Sequence, residues 1–250
     1  MSQTRNEYGQ PVGPDIDGWQ PPPALRAATL KGHCCRLEPL DAALHGPALW
    51  RAWQLPDPAI ANDHEAKARW TYLGGRQFDD DAGCRRWLEK CEEDRSRLSF
   101  AIVDRRDHEA VGFASYLNIV PADGRIEIGH LSFSPRMART PVSSEALMLM
   151  MEHAFALGYR RLEWKCDALN APSRRAAERL GFRFEGIFRQ HRVVDGRNRD
   201  SAWYSIIDGE WPAIHECHRR WLSPRNFDAE GRQRQSLSSM TASLSTIREP

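Results

Sequence analysis

Glu127 is the carboxylate in this chain whose setting best suits proton transfer. In the run Ile126-Glu127-Ile128-Gly129, period-two alternation puts Ile126 and Ile128 on one face of a strand. Glu127 then shares the other face with Leu131 and Phe133. A carboxylate among apolar neighbours has a raised pKa, which suits a general base near neutral pH. The same residue also reads as a partly exposed strand glutamate paired with Arg125 or Arg161. Gly129, in mid-strand, marks a bulge or the close approach of another backbone.

Two helix starts supply the other candidates. The segment Ser134-Pro135-Arg136-Met137-Ala138-Arg139-Thr140-Pro141 runs from a strand into a long helix. Unpaired first-turn N–H groups and the positive end of the helix dipole favour an anion there. Arg136 and Arg139 add charge, Thr140, Ser143 and Ser144 add donors, and Pro141 fits a position whose N–H is not needed. A pyrophosphate suits this site; so does the plainer reading of a helix capped by Thr140, with solvated arginines. In Asn170-Ala171-Pro172-Ser173, Asn170 is a good N-cap and Ser173 can cap in return. At a cleft the pair could instead bind a carrier amide and donate a proton.

Other chemistries lack their residues. There is no Gly-x-Ser-x-Gly elbow, no phosphate-binding Gly-x-x-x-x-Gly-Lys-Ser/Thr loop and no Gly-x-Gly-x-x-Gly. The six cysteines include no Cys-x-x-Cys, and Cys84 and Cys91 lie on one apolar helical stripe. His215, Cys217 and His218 read as a helix surface in preference to a ligand set, so no metal is expected.

The elements needed to position these groups are legible along the chain. A strand at Cys34–Leu40 precedes a helix capped by Asp41, a short helix over Asp63–Trp70, and a third helix opened by Asp79–Asp81. Strands at Leu98–Val103, Val111–Ile119 and Arg125–Phe133 turn through two hairpins. A helix over Pro141–Leu157 is apolar on most sides and must be buried. A strand at Leu162–Cys166, a helix from Ala171 to Leu180 ending at Gly181, and a hairpin of Phe182–Val193 with Arg199–Ile207 complete the series. This order predicts one α/β domain, a mixed and mostly antiparallel twisted sheet flanked by helices.

At 250 residues the chain has room for one good-sized core, expected over residues 24–223. Residues 1–23 read as a polar Pro/Gly-rich arm, with Trp19 able to pin it, and residues 224–250 as a disordered polar tail. A formal net charge of +1 gives no reason to expect nucleic acid or a membrane surface as partner. The absence of an apolar leader at the N-terminus and of any long apolar run leads us to expect a cytoplasmic protein. Monomer and homo-oligomer both stay open.

With these residues the sequence resembles the GNAT superfamily of acyl-CoA-dependent N-acyltransferases, in the branch similar to RimJ and RimL. The likeness covers roughly Leu30–Leu222 and is most specific at Ile126-Glu127-Ile128-Gly129-His130, the Arg-Thr helix entry, Asn170-x-x-Ser173 with Arg174, and Leu180-Gly181-Phe182. It implies a sheet with splayed central strands and acetyl-CoA, or another short acyl-CoA, as co-substrate. Pantetheine would lie between the strands holding Leu131 and Trp164, against Leu131, Ser132 and Phe133. The pyrophosphate would meet Arg136, Ala138, Arg139, Thr140, Val142, Ser143 and Ser144, and Asn170 and Arg174 would contact the carrier. Ser173 would protonate the leaving thiolate and Glu127 would deprotonate the amine through water. The acceptor implied is a primary amine, a peptide N-terminus or a small molecule. A catalytically weak binding or assembly module is the alternative. Candidate acceptor contacts are Trp70–Leu73 and the basic stretch with Arg189, His191 and Arg192. One departure stands out: the glycine-rich phosphate loop of such proteins is here Met137-Ala138-Arg139-Thr140-Pro141-Val142.

Overall fold

The computed structural model describes residues 4–60, 66–76 and 78–245. Eight strands form one sheet: β1 (Leu30–Lys31), β2 (Cys35–Pro39), β3 (Leu98–Asp104), β4 (Ala110–Val120), β5 (Arg125–Phe133), β6 (Arg161–Asp167), β7 (Arg183–Val194) and β8 (Arg197–Ile207). They run in the order β1-β2-β3-β4-β5-β6-β8-β7. Every neighbouring pair is antiparallel except β5 with β6.

Helices cover both faces. On one, α3 (Pro141–Ala156) packs with α4 (Ala171–Arg179), α5 (Trp211–Leu222) and α6 (Leu237–Ser245) over a core that includes Ile102, Tyr116, Ile126, Trp164, Tyr204 and Ile206. Being covered on most sides explains why α3 is apolar nearly all round. On the other face, α1 (Ala42–Trp53) and α2 (Asp81–Glu93) build a second core around Trp53, Trp70, Phe78 and Phe113. Asp41 and Asp80 cap these two helices through Leu44 N–H and Gly83 N–H. Cys84 and Cys91 are buried in that core, as the helical stripe predicts.

Two differences from the sequence expectations concern boundaries and ends. The short helix expected over Asp63–Trp70 falls partly on residues 61–65, outside the described residues; the next described element is a 3-10 segment, Ala68–Leu73. The stretch after residue 223 is no disordered tail as far as Ser245. There α6 buries Leu237, Met240 and Thr241, and Thr241 Oγ1 donates to Arg179 O at 3.2 Å. In the N-terminal arm, Trp19 Nε1 donates to Gly158 O at 3.4 Å and its ring lies under the Arg160 guanidinium.

Candidate active site

The site forms where β5 and β6 part. Their parallel register runs through Arg125↔Arg161, Ile126↔Leu162 and Glu127↔Glu163, and then stops. Beyond that point β5 continues for six residues and β6 for four with no pairing between them. A wedge therefore opens with Glu127 at its apex. On the far side of β5 the register with β4 shifts between Phe113↔Ser132 and Ser115↔Gly129, so one extra residue is housed at His130–Leu131. His130 takes φ +51°. Gly129 sits beside this bulge for a steric reason as well, since a Cβ there would lie 2.7 Å from Leu117 Cδ1.

The bulge changes which side chains share a face. Glu127 pairs with Leu117 and Ser132 pairs with Phe113, which puts Glu127, Gly129 and Ser132 on the α1/α2 side. Leu131 and Phe133 pack into the core on the α3 side. Simple alternation puts them beside Glu127; one inserted residue reverses the phase. The partners of Glu127 also differ from both sequence readings. It is buried, but among polar groups: Asn118 Nδ2 donates to its Oε2 at 2.6 Å and Lys165 Nζ lies 2.9 Å from the same oxygen. Arg125 pairs with Asp123, and Arg161 with Glu163 and Glu185.

Lys165 is the centre of that cluster. Its ammonium is also 2.9 Å from Glu163 Oε2 and sits 4.0 Å above the Trp203 ring. Burial would raise the Glu163 carboxyl, yet Lys165 and Arg161 together hold it below the usual carboxylate range. His130 is held neutral. Burial against Trp87 and Phe113, with the Arg97 charge at its Nδ1, pushes its pKa down to about 4.

The helix entry leaves the start of α3 without a side-chain cap, and its arginine side chains are engaged by carboxylates. Thr140 Oγ1 donates to Met137 O and so does not cap α3, whose first-turn N–H groups have no side-chain acceptor. Within the loop, Met137, Ala138 and Thr140 N–H groups are bonded internally, to Ser134 O or Met137 O. Arg139 adopts φ +62°, the left-handed geometry that glycine would supply at no steric cost. Arg136 is paired with Asp107 and Arg139 with Asp57. Ala138 is half-buried, Val142 points into the core, and Ser143 Oγ donates to Thr140 O at 2.9 Å. Ser132 Oγ and Ser134 Oγ are buried with no partner among the described residues. Uncapped amides and orphaned hydroxyls along the wedge fit a ligand that brings its own phosphates and amides.

At the second helix start, Asn170 Oδ1 accepts from Ser173 N at 3.1 Å, an ordinary N-cap. Ser173 Oγ accepts from Trp164 Nε1 at 3.0 Å, which ties it to the β6 side of the wedge. Arg174 Nε donates to Tyr204 OH at 3.0 Å. Glu127 thus stands at the apex of the gap between β5 and β6, with Ser132 along β5 and Ser173 tied to β6 through Trp164. Of the acceptor candidates, Trp70 is a core residue, whereas Tyr72 OH donates to Leu169 O at 3.1 Å, just before Asn170.

Sequence reading missed Lys165, Glu163 and Asn118, because their role depends on strand order. It also missed Arg179, whose Nη1 donates to Ser144 Oγ at 3.0 Å and whose charge burial disfavours. Cys217 and His218 are not surface groups as expected. They face the α5–α6 interior, with His218 Nε2 2.9 Å from Leu180 O. No group of three metal-ligating side chains occurs among the described residues, nor is any helix there long and apolar enough to cross a membrane.

Comparison with known proteins agrees with this fold. A GCN5-related N-acetyltransferase structure from Brucella melitensis is 42% identical, covers 91% of this chain and 100% of its own, and superposes with a TM-score of 0.84. A GNAT-family structure from Chromobacterium violaceum is 39% identical over 82% of this chain and 98% of its own, with a TM-score of 0.72. Among curated sequences, the uncharacterized N-acetyltransferase p20 of Bacillus licheniformis is 27% identical over 113 residues, 45% of this chain and 63% of that protein. The match thus spans less than two thirds of that relative. A RimL structure in complex with coenzyme A shares the fold, at 20% identity, a TM-score of 0.55, and coverage of 72% of this chain and 98% of its own. The acetyltransferase (GNAT) domain matches residues 48–183, more than half the chain, and the protein belongs to that family.

Proposed function

We propose that this protein transfers an acetyl or other short acyl group from its coenzyme A thioester to a primary amine, in the manner of RimJ- and RimL-like enzymes. The observation that carries the reading is the wedge between β5 and β6, with buried Glu127 at its apex and the His130–Leu131 bulge beside it. The thioester would lie along Leu131, Ser132 and Phe133, with its pyrophosphate on the N–H groups of Arg139 and the first turn of α3. Coenzyme A supplies the activated acyl group. Glu127 accepts the ammonium proton through water, and the neutral amine attacks the carbonyl. Unpaired β5 N–H groups stabilise the oxyanion, and Ser173 protonates the departing thiolate. Asn170 and Arg174 hold the β6–α4 side, and the reaction would run in the cytoplasm.

Calorimetric titration with acetyl-CoA should give saturable binding. Glu127→Gln should lower turnover by about two to four orders of magnitude with little change in coenzyme affinity. No binding of any acyl-CoA at high micromolar concentration would sink the proposal, and unchanged turnover would clear Glu127. A second reading, a non-catalytic binding module, draws on the engagement of Arg136 and Arg139 by Asp107 and Asp57. It predicts a protein that purifies and folds without any coenzyme affinity.

A further inference from the structure

The β7–β8 hairpin carries a cluster of arginines without carboxylate partners among the described residues. Arg36, Arg51, Arg106, Arg136, Arg139 and Arg161 each meet a carboxylate. Arg189, Arg192, Arg197 and Arg199 form no ion pair among the described residues. Arg192 and Arg199 are direct cross-strand partners. Like charges in that position repel; the Asp200 carboxylate nearby accepts from Gln190 N and Asn198 Nδ2 and interacts with the Arg189 charge. Strand alternation sets Arg197, Arg199, Ser201, Trp203 and Ser205 on one face of β8. Register through Lys165↔Trp203 and Glu163↔Ser205 makes this the same face that holds Lys165, Glu163 and Glu127. Between the patch and the apex, Arg199 Nε and Trp203 Nε1 are buried donors with no acceptor among the described residues. Half-exposed Phe188 stacks on Trp203 at 4.4 Å, giving the track an apolar floor.

Length decides what could bridge these points. Arg199 lies six residues along β8 from Ser205, the position level with Glu163 and Glu127. At about 3.3 Å per residue that is roughly 20 Å, beyond a small amine but matched by an extended chain of about six residues. Resting on the acyltransferase reading above, we infer that the acceptor is a polypeptide amino terminus with acidic side chains about six residues further on, which dock on Arg192, Arg197 and Arg199. The amine sits at the Glu127 apex, and backbone carbonyls of the segment between take the free Trp203 and Arg199 donors. A nucleic acid is the poorer occupant, because the net charge of +1 gives no wider basic field and the patch leads to an amine-processing carboxylate.

The test is direct binding, which does not depend on acyl transfer. A labelled peptide of about twelve residues with a free amino terminus and Asp/Glu around positions five to eight is compared, by fluorescence anisotropy, with its Asn/Gln counterpart. The acidic peptide should bind at least about tenfold more tightly at about 50 mM salt, with the preference fading toward about 500 mM. Arg192→Glu with Arg199→Glu should abolish the preference; Arg197→Gln, at an exposed position, should reduce it should the double variant not fold. Equal affinities, binding by neither peptide, a preference that survives these substitutions, or tighter binding of a single-stranded RNA of similar charge would each overturn the inference. Loss of acyl-CoA binding in calorimetry would instead strike the acyltransferase reading and leave this result interpretable.

Discussion

Single residues here are set by their partners more than by their type. Glu127 is readable as a candidate base, but its surroundings are not, because Lys165 reaches it from a strand roughly forty residues away in sequence. The same holds for the buried histidines. His218, deep between α5 and Leu180, has its pKa pushed down to about 4 by burial, with Arg179 and His215 adding to the effect. His130 is depressed to about 4 for a similar reason. In the unfolded chain such groups take up protons near pH 6.5, while the folded protein resists until about pH 4. Stability is therefore lost as pH falls from 6.5 toward 4, by up to about 1.4 kcal/mol per pH unit for each histidine. Thermal unfolding between pH 7 and pH 5 should show a falling midpoint, and His218→Gln should make the fall shallower. An unchanged slope would remove His218 from this account.

At the scale of elements, the bulge in β5 and the entry to α3 determine the shape of the cleft. The start of α3 is anchored by Glu145, which accepts from the backbone N–H groups of His33, Cys34 and Cys35 at 2.6–2.8 Å. The loop ahead of it rests on Met137, fully buried against β4. A Cβ on Gly112 would lie 2.2 Å from Met137 Sδ. Gly112→Ala should therefore push Met137 and the 134–140 loop outward, at a cost of about 1–3 kcal/mol in overpacking. Coenzyme affinity, read by calorimetry, should drop, and Met137→Ala in the same chain should restore part of it. Full affinity in Gly112→Ala alone would show that this loop does not hold the coenzyme. The hairpins and helix caps are legible in the sequence because turn residues and N-caps act locally. The bulge is only half legible: Gly129 marks the neighbourhood, and His130 gives no sign of its left-handed backbone.

For the whole molecule, the main revision is the C-terminal region. Leu237, Met240 and Leu244 recur at helical spacing and pack against the core shared with α5. That pattern is present in a Ser- and Arg-rich stretch whose composition obscures it. Leu237→Ala should cost about 2–5 kcal/mol, the range of a core position, in denaturant unfolding. A change under about 0.5 kcal/mol is what a disordered tail would give.

The sequence by itself determined the order and type of the elements, their caps and turns, and a mixed sheet flanked by helices. These features arise from periods of 2 and 3.6 residues and from local backbone chemistry. Only the tertiary structure decided that Lys165 and Asn118 hold Glu127, that Leu131 and Phe133 face away from it, and that Arg192 opposes Arg199. Periodicity assigns a residue to a face of its own strand. Strand order and register assign its neighbour, and one inserted residue reverses the face.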